Sequence, residues 1–186
     1  MKEIIGYQGI TGSNSEIAGK EFIHLLNIKE FKLVPLIGSE QVVTAILNKE
    51  VDFGVMAIHN TLGGIVRETE KTIKDKPLSI VTTVRLRIHH CLFAKCKQDE
   101  ITKIVSHEQA LLQCKKTLAK SFKGIEQISI EDTAIGATRI ISGEYAESTA
   151  VLCSKSIGNE LGLNLILANA EDSEDNYTTF GFYQLK

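Results

Sequence analysis

The stretch from Val51 to Val66, VDFGVMAIHNTLGGIV, constrains this chain more than any other. A short apolar run, Phe53 to Ile58, passes into polar residues and two glycines. Ile65, Val66, Thr69 and Ile73 then recur at helical spacing. The pattern predicts a buried strand, a tight turn and a helix. In an open α/β sheet, ligands bind beyond the carboxyl ends of the strands, so His59, Asn60 and Thr61 stand where a site would be built. The competing assignment is that Asn60 and Thr61 only cap the following helix.

The same alternation runs through the rest of the chain. Lys2 to Tyr7 reads as a strand, followed by the small polar residues Gly9 to Glu16 and by Ala18, Phe22, Leu25 and Leu26 at helical spacing. Ser13-x-x-Glu16 fits a capping box, which leaves other N–H groups of that helix start to face an anion, with Gly12, Ser13 and Ser15 around it. The loop lacks G-x-G-x-x-G, so it is not read as a dinucleotide site. Phe31 to Leu36 is a second strand and Ser39 to Asn48 a helix, an order that implies a largely parallel sheet with helices on its faces.

From Leu78 to Phe93 the chain is extended for longer than the usual ~5–6 residues of a strand, long enough to cross between two lobes. Arg85 and Arg87 share one face of it, as exposed strand charges or as contacts to an anionic ligand. Ile104 to Ser106 reads as a strand, and Ser106-x-x-Gln109 is a second capping box opening a helix. Asp132-Thr133 caps another helix, closed by Gly143. Strands at 149–152 and 163–167 flank a helix at 154–161, and Thr178 to Leu185 is the last strand. No low-complexity linker separates these units.

With 186 residues, 43% hydrophobic content and a net charge of -2, the chain can bury a sizeable core in one domain or two small lobes. It presents no basic face for nucleic acid, so small ligands are the expected partners. No apolar run approaches the ~20 residues that span a bilayer, and the N-terminus turns polar too quickly for a signal peptide, so no membrane partner and a cytoplasmic location are expected. Cys91 and Cys96 with His89 and His90 nearby are the one metal prospect. The alternation of Ile88, Cys91 and Phe93 favours buried, reduced thiols, and no metal or cofactor is expected.

Six segments in order resemble the prephenate dehydratase catalytic domain. Tyr7 to Glu16 resembles its first glycine loop, Val51 to Val66 its "vDfgVvPIENSxxGxV" segment, Ile88-His89-His90-Cys91-Leu92 its "IxHCL" strand, and Val105 to Cys114 its "vxSHpQALxQC". Asp132 to Ala137 resembles "DTAxAA", and Asn176-Tyr177-Thr178-Thr179-Phe180 resembles "NxTRF". The resemblance implies a type II periplasmic-binding-protein-like α/β fold of two lobes with mainly parallel sheets and a ligand cleft between them. Lobe 1 would hold about residues 1–79 and 172–186, lobe 2 about 80–171, with a hinge at Ile80 to Ile88.

It further implies a lyase that converts prephenate to phenylpyruvate in phenylalanine biosynthesis, losing carbon dioxide and a hydroxide, and a homo-oligomer, dimer or larger. Thr178 matches the family's catalytic threonine, and Asn60 the polar turn beside it. His59, Thr61, Ser106, His107, Gln109, Asp132, Thr133, Thr179 and Phe180 match the substrate side. The chain ends at Lys186, so the phenylalanine-binding regulatory domain of the ACT type is expected to be absent.

The departures from the pattern cluster. Thr179 stands where "TRF" has arginine, His59 where "PIENS" has glutamate, Ala57 where it has proline, and Thr83 where the crossing strand usually has glutamate. Two acids and one base lost together imply that a local ion network was replaced as a unit, because removing one member of a pair strands its partner. Without compensation, losing a bidentate guanidinium would weaken substrate binding by one to several powers of ten, at about 1.5–3 kcal/mol per charged hydrogen bond. The alternative reading is therefore a paralogue that acts on a related cyclohexadienyl acid, or only binds a small carboxylate.

Overall fold

The computed structural model describes residues 2–186, which form two compact units: the chain up to Ile88 together with Tyr177–Lys186, and His89–Asn176.

In the first unit the strands are β1 (Glu3–Gln8), β2 (Phe31–Leu36), β3 (Phe53–Asn60), β4 (Gly64–Ile65), β5 (Leu78–Arg87) and β11 (Tyr177–Leu185), with helices α1 (Asn14–Leu25), α2 (Ser39–Leu47) and α3 (Arg67–Ile73). The sheet order is β2-β1-β3-β11-β5. β1 is parallel to β2 and β3, whereas β11 is antiparallel to both β3 and β5, so the sheet is mixed and its parallel part is confined to β2-β1-β3. Alternation along each strand sends one set of side chains to each face. Ile5, Tyr7, Val55, Phe180 and Phe182 pack with Ala18, Phe22 and Ile23 of α1. On the other face, Met56 and Tyr183 pack with Val42, Val43 and Ile46 of α2.

Two expectations are corrected here. After β3 the chain does not enter a helix directly: Asn60 Oδ1 accepts from the backbone N–H of Leu62 and Gly63 at 2.9 and 2.8 Å. Gly64, at φ 74°, then turns the chain back so that Ile65 pairs with His59. Ile65 is thus in a hairpin, and α3 starts only at Arg67. The long extended run is also two strands. β5 pairs with β11 from Arg87↔Tyr177 to Leu78↔Leu185, so the segment expected as a hinge is an edge strand of the first unit, and the unit boundaries fall at 88/89 and 176/177.

The second unit contains β6 (Cys91–Ala94), β7 (Lys103–Ser106), β8 (Glu126–Ser129), β9 (Thr149–Cys153) and β10 (Asn164–Leu167) in the order β10-β6-β9-β7-β8, with β7 parallel to β8 and β9. Leu92, Ile104, Cys114, Leu118, Ala150 and Leu152 form its core. The helix expected after Ser106 is split into α4 (Glu108–Gln113) and α5 (Lys115–Ser121). The break has a cause in the acidic loop: the Asp172 carboxylate accepts from Lys116 N and Thr117 N, both at 2.8 Å, and so caps a new helix start. α6 (Thr133–Ser142) and α7 (Lys155–Glu160) complete the unit.

Candidate active site

Because β1, β2 and β3 run parallel and β11 runs opposite to β3, the carboxyl ends of the first three and the start of β11 lie on one edge of the sheet. Thr178 pairs with Asn60 and Thr179 with His59. The Asn60 side-chain amide donates to Thr178 Oγ at 2.9 Å and to the Tyr177 carbonyl at 3.1 Å. Thr61 N donates to the Tyr177 carbonyl and Tyr177 N donates to Thr61 Oγ, both at 2.9 Å. A strand end and a strand start are thus locked by side chains where the ladder would otherwise fray. Since Thr178 Oγ accepts from Asn60, its own hydroxyl proton is left to point at another acceptor.

Asn60 and Thr61 do not cap α3, whose N-cap is Val66. Their side chains serve the turn and the start of β11 instead. Phe180, expected on the substrate side, is 2% exposed and belongs to the core under α1, because it shares a face with Phe182 two residues on.

Thr179 lies on the face of β11 opposite Thr178. The register sets Thr179 beside both His59 and Arg85, with Thr83 opposite Gly181 on the same face. Three of the four positions at which this chain departs from the family pattern, 59, 83 and 179, therefore form one cross-strand cluster. The guanidinium there is carried by β5, which flanks β11. Arg85 Cζ lies 4.3 Å from the centroid of the Tyr177 ring.

Gly12 and Ser13 form the start of α1, but the carboxylate of their own helix occupies it. Ser13 Oγ accepts from Glu16 N at 3.3 Å, and Glu16 accepts from Gly12 N at 2.6 Å and pairs with Lys20. Ser15 is buried in the helix. One residue that the sequence reading missed is Gln8, at the end of β1. It donates to Glu68 at 3.1 Å, and Glu68 in turn accepts from Ser39 N, closing the start of α2.

In the second unit, β7, β8 and β9 run parallel, so the helix starts at His107, Asp132 and Ser154 line one sheet edge. Ser106 does not make the expected capping box: it is fully buried and donates to the Leu152 carbonyl at 2.8 Å. The cap is His107, whose Nδ1 accepts from Gln109 N at 3.2 Å, and the Gln109 residue is exposed. Asp132 behaves as expected, accepting from Ala134 N and Ile135 N, with Thr133 opening α6.

Close to these lies a polar cluster that the sequence reading did not separate from its motifs. Gln113 Oε1 accepts from His90 Nε2 at 2.7 Å and from Asn176 Nδ2 at 2.9 Å, and Asn176 is fully buried. The nearly buried Glu171 carboxylate accepts from His90 N and from His89 Nδ1. His90, Gln113 and Asn176 each sit inside a family-like segment, so the available signal was that three such segments carry a polar residue with no surface role. Among the described residues no group of three or more His, Cys, Asp and Glu side chains could hold a metal ion. Cys91 lies opposite Cys153 in the sheet, and both are buried.

Burial lowers the pKa of His90, outweighing the opposing effect of its bond to Gln113. The unfolded chain therefore takes up this proton first as pH falls. The contribution of His90 to stability is complete above about pH 6.5 and is lost as pH drops below it. Melting curves between pH 7.5 and 5 are expected to show Tm falling below about 6.5, with a shallower fall in His90→Gln. An equal slope in both proteins would contradict this.

The prephenate dehydratase family matches residues 5–185. Arogenate dehydratase/prephenate dehydratase 2, chloroplastic, of Arabidopsis thaliana is 31% identical over 178 residues, covering 95% of this chain and 45% of that protein. The chain thus spans about half the length of the curated relatives it matches. Among solved structures, the prephenate dehydratase of Arthrobacter aurescens in complex with L-Phe shares the fold with a TM-score of 0.88 at 20% identity, over 98% of this chain and 60% of that one. A periplasmic substrate-binding protein of an ABC transporter from Coxiella burnetii shares it at 0.52 and 10% identity, over 96% of this chain and 84% of that one. The α/β architecture related to periplasmic binding proteins is therefore the fold, and on a match that runs almost from end to end the chain belongs to the prephenate dehydratase family.

Proposed function

We propose that this chain is a dehydratase that converts prephenate to phenylpyruvate. The observation that supports it most directly is the Asn60–Thr178 bond, which fixes a hydroxyl whose proton can be given to a leaving group. In the reaction the ring carboxylate leaves as carbon dioxide, its bonding pair enters the ring, and the hydroxyl on the opposite ring carbon departs with a proton as water. Aromatisation supplies the drive, and the protein's task is to hold the anion and assist a poor leaving group. Thr178 donates to the departing hydroxyl, and Asn60 orients Thr178. Thr61 fixes the turn beside them; in the second unit His107, Gln109, Asp132 and Thr133, at its helix starts, are proposed to bind a carboxylate, whereas the buried Ser106 is spent on the Leu152 carbonyl.

A second reading, turnover of arogenate or binding alone, is favoured by the replaced positions at 59, 83 and 179. Arogenate carries an ammonium group where prephenate has a keto oxygen, so a changed charge pattern bears on that choice. Incubating the purified protein with each acid, and following the aromatic product by absorbance, separates the readings. Phenylpyruvate formed from prephenate at enzymatic rates supports the first, phenylalanine from arogenate alone the second, and no product with either leaves binding. The cytoplasm is the proposed location, supported by four unpaired cysteines, and no helix among the described residues is long and apolar enough to cross a membrane. A dimer or larger assembly is carried from the family resemblance.

A further inference from the structure

Tyr177 is held on two sides. Its backbone N–H and carbonyl are bound by Thr61 at 2.9 Å each, and the carbonyl also accepts from Asn60. Its ring lies under the Arg85 guanidinium, 4.3 Å from ring centroid to Cζ, well within the ~6 Å over which a cation is attracted to an aromatic face. Thr178 is the next residue, and its hydroxyl is oriented by the same Asn60 amide that holds the Tyr177 carbonyl. Any rocking of Tyr177 about the strand axis is thus transmitted to Thr178 through one peptide bond and through a shared donor.

The register explains why the stacking can form in this chain. Arg85 stands directly opposite Thr179, and Tyr177 is its diagonal neighbour on the same face. Thr179 is small, so the long Arg85 side chain can lie across it to the tyrosine ring. An arginine at 179, as in the family pattern, would fill that space and set a like charge against Arg85.

We infer that Arg85, stacked on Tyr177, is a positioning residue for the Thr178–Asn60 pair, with its guanidinium carried on β5 where the family pattern carries one on β11. The inference rests on the dehydratase reading for its kinetic consequence, but not for its structural one. Arg85→Met removes the cation and keeps an apolar stem of similar length.

Amide hydrogen exchange read by NMR or mass spectrometry is expected to speed up roughly two- to fivefold at Thr61 and Tyr177, with the rest of β5 and β11 unchanged. The kcat on whichever acid is turned over should fall by a similar factor, with KM within twofold. Arg85→Lys should recover at least half of both effects. The double variant Arg85→Met, Tyr177→Leu should be no worse than the poorer single variant, since both break one contact. Thr179→Arg, which displaces the stacking without touching Arg85, should reproduce the localised loss of protection and serves if Arg85→Met does not fold.

Unchanged exchange at Thr61 and Tyr177, or a uniform rise along both strands, would overturn the inference. So would a raised KM at constant kcat, which marks direct substrate contact. If neither acid is turned over, the dehydratase reading fails while the exchange measurement still decides the role of Arg85.

Discussion

Thr178→Ala is expected to lower turnover by roughly 10²–10⁴-fold, the span that positioned proton-transfer groups contribute. The argument is geometric. Thr178 Oγ accepts the Asn60 amide at 2.9 Å, so the hydroxyl proton is directed by exclusion and is lost entirely in alanine. The cost to the fold is small by comparison, because Asn60 keeps its bond to the Tyr177 carbonyl and to the two turn amides. Losing one hydrogen bond costs about 1 kcal/mol, or roughly 2–4 °C in Tm for a chain of this size. Thr178→Ser keeps the hydroxyl and should retain most of the rate. Steady-state kinetics with thermal melts of the three proteins test the assignment, and a loss below threefold in the alanine variant would remove Thr178 from the chemistry.

Asn60→Asp is expected to be nearly as damaging, by about 10²-fold or more, and to cost stability as well. The substitution is isosteric and leaves the acceptor that builds the turn, so Leu62 N and Gly63 N stay satisfied. What it removes is the donor. A carboxylate oxygen would then face the Tyr177 carbonyl, two acceptors in contact, and would draw the Thr178 proton to itself instead of leaving it for a departing hydroxyl. An unmet polar group in a partly buried setting costs about 1–3 kcal/mol, so a Tm drop of several degrees should accompany the kinetic loss. Asn60→Ala separates the two effects: it loses the turn as well, and should be less stable than Asn60→Asp. Wild-type kcat in Asn60→Asp would show that Thr178 needs no orienting donor.

The replaced positions 59, 83 and 179 are neighbours across three strands. Joint loss of two acids and a base implied neighbours, and the register makes them neighbours. Thr179 lies on the face of β11 opposite Thr178, and Arg85 carries a guanidinium on that face, so the kinetic comparison of prephenate with arogenate decides what the replacement does to binding.

The sequence by itself determined the α/β class, most strands to within a residue or two, the family, and Asn60 and Thr178 as separate candidates; that the two are paired came from the structure. The former follow from local patterns: alternation and helical periodicity name the elements, and short motifs with fixed spacing survive when two thirds of the residues differ. Only the tertiary structure decided which residues share a face and which cap which helix. Phe180 went to the core, Ser106 to the Leu152 carbonyl, and Asp172 to a helix start 56 residues earlier in the chain. It also drew His90, Gln113 and Asn176 into one cluster and set Arg85 over Tyr177. The physical reason is that a side chain's partner across a sheet or at the start of a distant helix is fixed by register and by the return path of the chain, which are long-range quantities that no local window contains.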